Sequence, residues 1–193
     1  MKYSALLLSL LLAGCATQPT VKSWMDPKSS VTITAQTEPL VLVRAAPAPS
    51  MNERDYAQLT AIEVNRMGER KLYLVAILWN SGDLWSDKSG SSQSAFDQID
   101  VNVGERTVAL TPHTGEVSEL GINQALPLPI PGSKHIYFPI SRDDLRAISR
   151  SNRIELTARG VPEAPRRYEE WQDGRRSLND FLGQLPELNQ PQS

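Results

Sequence analysis

One cysteine stands in the whole chain of 193 residues, at position 15, so no disulfide within the chain can form and the fold rests on its core alone. Histidines number two, His113 and His135. They lack the His-x-x-x-His spacing of a zinc site, and no second thiol can join them. Lysine and arginine total 20 against 22 acidic residues, a net charge of −2, which is not the basic excess of a nucleic-acid binder. No Gly-x-Gly-x-x-Gly or Walker-type string is present, so nucleotide binding has no motif behind it. The acidic loop "DLWSDKSG" lacks the Asp-x-Asp-x-Asp-Gly order of a calcium loop. "SGSSQS" lacks the second glycine of a nucleophile elbow. The expectation is a chain with no metal site, no cofactor and no catalytic residue, hence not an enzyme.

Long apolar runs are scarce as well. The longest opens the chain, from Ala5 to Ala13 with Ser9 inside it, behind the single charge of Lys2. It is about half the ~20 residues that span a bilayer. A short apolar run with a positive start and small residues at its end has the anatomy of a secretory signal peptide. Leu12-Ala13-Gly14-Cys15 resembles the lipobox of bacterial lipoproteins over these first fifteen residues. The resemblance implies cleavage before Cys15 and acylation of Cys15 with palmitate-like chains; two or three such chains anchor durably. Ala16 stands where Asp commonly retains such proteins in the inner membrane of Gram-negative bacteria. The resemblance therefore implies a lipid anchor on the periplasmic face of the outer membrane.

Residues 15–30 read as the lipidated cysteine and a polar spacer with two prolines, interrupted by Trp24 and Met25, which suit packing on a domain edge or the membrane interface, or contact with a partner. From residue 31 the pattern is β. "VTITA" and "PLVLVRA" have strand length and composition. Two hairpins follow, with Gly68-Glu69 and Gly104-Glu105 as their central pairs, glycine leading as a type II′ turn requires. The second hairpin pairs Val103 with Arg106, Val101 with Val108 and Ile99 with Leu110, so these apolar residues share a core face while Asp100, Asn102, Thr107 and Ala109 share the other. "LYLVAILW" is apolar on both faces and marks a central strand.

"KHIYFPI" and "RIELTAR" are strands joined by a short helix, with Ser141 and Asp144 at capping-box spacing and Ile140 and Leu145 as a hydrophobic staple. "RRYEEW" is a last strand. After Asp173 as a cap, Leu178, Phe181, Leu182 and Leu185 form one helical stripe that Pro186 ends. The expected fold is mainly β, an immunoglobulin-like antiparallel β-sandwich with a short crossover helix and a C-terminal helix. Its domain spans 31–188, after a signal peptide over 1–14 and before a disordered tail over 189–193.

Three features bear on recognition. The polar loop 80–95 carries Trp85, an aromatic of the kind that anchors interfaces or folds back over a domain rim. Phe181 and its helical stripe either complete the core or dock a partner. "ALPLPIPGS" reads as an extended edge cover or a ligand for a partner. The function expected is that of a non-enzymatic binding or envelope-assembly accessory, held on a membrane by its lipid, with an envelope protein as partner and no nucleic acid. The alternative is an envelope enzyme or small-ligand-binding protein with its site at the 80–95 loop.

Overall fold

The computed structural model describes residues 19–45, 54–81, 96–123, 126–129, 133–160 and 164–186. Cys15 and the leader, most of the 80–95 loop with Trp85, and the 189–193 tail lie outside the described residues.

Among the described residues ten strands and two α-helices follow one another as β1 (Val21–Met25), β2 (Thr32–Gln36), β3 (Leu40–Ala45), β4 (Arg54–Arg66), β5 (Glu69–Asn80), β6 (Gln98–Val103), β7 (Arg106–Leu110), β8 (Lys134–Pro139), α1 (Arg142–Arg150), β9 (Ile154–Arg159), β10 (Arg166–Gln172) and α2 (Arg175–Gln184). All strand pairs are antiparallel. The mainly β architecture, the crossover helix between β8 and β9, and the C-terminal helix are as expected. Pairing links all ten strands into one sheet. Its main path runs β8-β5-β4-β3-β10-β9-β6-β7, and β2 with β1 branches from β4.

β4 and β5 pair along their whole length and bury both faces. Leu59, Leu74, Leu78 and Phe138 look into the larger core, where β6, β7, β9, β10 and both helices contribute Ile99, Val108, Leu156, Tyr168, Leu145 and Phe181. One core shared by eight successive strands requires the sheet to curl, which its natural twist favours. Leu72, Leu110 and Ile140 accordingly line one cleft. The opposite faces of β4, β5 and β8 present Ile62, Val64, Val75, Ile77 and Tyr137 to a second core, with Val31 and Ile33 beside them and Ile122 and Leu126 packed there. Fully buried Asp26 ties the first turn of the fold to this cover. Its carboxylate accepts from the backbone N–H of Lys28 and Ser29 and from both the backbone and side-chain N–H of Asn123.

Local signals are obeyed with small shifts. β6 and β7 hold the expected register, and Gly104 alone of its turn has positive φ, at 66°. Asp100 departs from its solvent-facing expectation: it is buried and paired with Arg159 at 2.7 Å. In the first hairpin Arg66 pairs with Glu69, so the turn residues are Met67 and Gly68, one position earlier than expected. Both have positive φ, 51° and 97°, as a type I′ turn needs, and Asn65 Oδ1 accepts from Gly68 N–H at 2.9 Å.

Ser141 caps α1 as its spacing predicts, accepting from Asp144 N–H at 3.0 Å. α2 starts one residue later than expected, with Gly174 as N-cap, while Asp173 Oδ1 accepts from Arg175 N–H. Arg142 of α1 donates to the carbonyls of Leu182, Leu185 and Pro186, satisfying the groups that the end of α2 leaves open. The expected spacer is corrected from residue 21 onward. "VKSWM" forms β1 because its backbone completes the free edge of β2, although only Val21 of it is buried.

Candidate functional site: a cavity at the fork of the sheet

β4 is longer than either strand on its outer edge. β3 pairs with it from Arg54 to Leu59 and β2 from Ile62 to Asn65, leaving Thr60 and Ala61 without a strand partner there. Gln36, at the end of β2, closes the gap. Its Oε1 accepts from Ala61 N–H at 2.9 Å and its Nε2 donates to the Glu38 carbonyl at 2.8 Å. Because β2 and β3 part company at this point, a cavity of about 340 Å³ opens between them, on the face that belongs to the second core.

Strand alternation puts Gln58 and Thr60 on one face, where they line the cavity beneath Trp24 and Lys22 of β1, Pro39, Leu126 and Pro127. Thr60 is only 4 % exposed, yet neither its hydroxyl nor the Gln58 amide hydrogen-bonds a described residue. The Trp24 indole N–H is also buried without a partner among the described residues. The lining thus combines an apolar wall with unspent donors and acceptors and one ammonium group. Such a surface can hold an amphipathic ligand, and it contains no nucleophile set beside a base.

The same face of β4 continues outward through Tyr56 and Arg54. The Tyr56 ring stacks on Trp79 with centroids 5.2 Å apart, and Arg54 lies over Trp171 at 5.4 Å. Trp171 is 59 % exposed.

Several other titratable groups are spent on structure. Asp55 accepts from Arg44 and from Asn80, and Glu63 accepts from Arg70. Glu170 receives Arg175 through two contacts of 2.5 Å. The two histidines lie on adjoining segments, since His113 N–H donates to the Tyr137 carbonyl at 2.7 Å and the His135 ring sits 6.1 Å from that of Tyr137. Burial holds the His135 imidazole below its usual value against a backbone hydrogen bond with Leu126. Burial also pushes the Tyr137 phenol up to about 12. Among the described residues no three His, Cys, Asp or Glu side chains are grouped as a metal site would need.

Of the residues singled out in the sequence, Cys15 and Trp85 lie outside the described residues. Phe181 is fully buried in the larger core with Leu178 and Leu182, so the packing alternative describes it and its ring is withdrawn as a partner contact. In the proline-alternating segment, Leu126 is buried against the second core and Leu128 is exposed. The site residues Gln58, Thr60 and Gln36 carry no motif. Only the alternation of β4 could have grouped the first two, and nothing local could have revealed the fork. No helix among the described residues is long and apolar enough to cross a membrane. No protein family, no curated protein and no solved structure matches this chain.

Proposed function

We propose that this chain is a non-enzymatic binding module held by acylation of Cys15 on an envelope membrane, the periplasmic face of the outer membrane, with the cavity at the fork of β2, β3 and β4 as its binding site. The cavity carries the reading: a Thr60 hydroxyl and a Gln58 amide that bond no described residue, lining it beneath a Trp24 wall, are groups that hold a ligand. The lipobox resemblance at Leu12-Ala13-Gly14-Cys15 supplies the anchor. Val21 follows Cys15 by six positions, a span of roughly 20 Å at most for extended chain, so the β1 end of the domain is held close to the bilayer. Ser177 of α2 reinforces that end, donating to the Thr20 carbonyl at 2.6 Å and accepting from Glu38 N–H.

The test is metabolic labelling with palmitate. The native chain takes up label and sediments with membranes, and Cys15→Ser is exported unlabelled. Label or membrane association persisting in Cys15→Ser overturns the anchor.

A further inference from the structure

We infer that the cavity and the outward face of β4 form one track for an anionic, N-acylated saccharide chain. The inference deepens the binding reading above and rests on it, but not on the anchor. Four side chains of β4 at every second position, Thr60, Gln58, Tyr56 and Arg54, point to the same face. At the ~3.4 Å rise of an antiparallel strand they mark a line of about 20 Å, long enough for several sugar rings.

The chemistry along that line alternates in the way a saccharide does. A sugar ring is apolar on its C–H faces and hydrogen-bonding at its rim. The track offers ring faces at Trp24, at the Tyr56–Trp79 stack and at Trp171, and hydrogen-bonding groups at Thr60 and Gln58 between them. An acyl chain is disfavoured, because it would cover the Thr60 hydroxyl and Gln58 amide and leave them without partners. An acetamido substituent has both the donor and the acceptor that the Gln58 amide can meet. Charge sets the remaining preference. Lys22 at the cavity and Arg54 at the far end are both cationic, and Glu169 stands two strands away on β10, so a carboxylate-bearing chain is favoured. A cavity of about 340 Å³ lies at the small end of the ~300–1,000 Å³ range of ligand clefts, which suits one terminal ring seated inside with the remainder lying along β4.

Isothermal titration of the full chain in detergent tests this with four probes: a hyaluronan hexasaccharide, which alternates N-acetylglucosamine with glucuronic acid, its disaccharide unit, a neutral N-acetylglucosamine hexamer, and a hexamer of glutamate. The anionic hexasaccharide binds at least tenfold tighter than the neutral one and than its own disaccharide unit. Thr60→Val, which keeps shape, weakens both glycans about tenfold with an unchanged melting temperature. Arg54→Gln narrows the gap between the anionic and neutral glycans. Absence of binding by both glycans at millimolar concentration, wild-type affinity in Thr60→Val, or equal binding of the glutamate hexamer overturns the saccharide assignment. Glycan binding that survives in a Cys15→Ser chain, with palmitate label absent from the native chain, sinks the anchor alone.

Discussion

Substituting Gln36 by Met asks whether one side chain holds the fork together. Methionine has nearly the same length and no branching, so packing changes little while both hydrogen bonds are lost. The Ala61 N–H, at a residue with no exposed surface, then faces an edge where neither β2 nor β3 supplies an acceptor. Leaving a buried backbone donor unsatisfied costs about 1–3 kcal/mol. The Glu38 carbonyl sits at an exposed corner and turns to water, adding roughly 0.5 kcal/mol. The expected loss is therefore about 1.5–3.5 kcal/mol. With a urea slope of about 2 kcal/mol per molar, the midpoint falls by roughly 1–2 M. Amide exchange locates the effect, since Ala61 N–H becomes faster-exchanging in the variant while Leu59 N–H, paired with β3 or β5, does not. Thr37→Val is the control, because it deletes a hydrogen bond to the Pro19 carbonyl at an exposed position and is expected to cost under about 0.5 kcal/mol. A Gln36→Met chain within 0.5 kcal/mol of wild type, with Ala61 N–H equally protected, would refute the account of the fork.

Phe181→Ala removes a fully buried ring from the larger core and is expected to cost about 3–5 kcal/mol in urea unfolding; a variant as stable as wild type contradicts the packing. Gly121→Ala forces a side chain into positive φ, 81°, with its Cβ 2.6 Å from Val31 Cγ2, and is expected to lose at least about 2 kcal/mol by the same measurement. Tyr137→Phe deletes a buried hydroxyl that has no partner among the described residues, so a gain of up to about 1 kcal/mol at pH 7 is expected. The native Tyr137 phenol titrates near 12, above the unfolded value of 10.0. The unfolded chain loses that proton first, so stability from this group is intact below pH 10 and declines toward pH 12. Melting temperatures from pH 9 to 11.5 should fall less steeply in the variant, and equal slopes exclude Tyr137 as a source.

Hydropathy alternation and turn chemistry between near neighbours settled much of this protein in advance. The β6–β7 register, the Ser141 cap and the stripe of α2 depend on residues within a few positions of one another, and their physics is complete in a short window. Even there the first turn moved by one residue, because the Asn65 side chain that accepts from Gly68 selects Met67-Gly68 as the turn. β1 escaped detection because an edge strand needs one apolar face at most, and its reason to be extended is the open edge of β2. The fork, the cavity and the pairing of buried Asp55, Glu63 and Asp100 belong to tertiary structure. They arise because β3 meets β10 across more than a hundred residues and β2 leaves β4 where β3 begins, contacts whose partners no local periodicity names. Sequence alone could say that Thr60, Gln58 and Tyr56 share a face. Which elements stand over that face was decided by the order of the strands, because burial of the two cores, not the pattern within any one strand, selects that order.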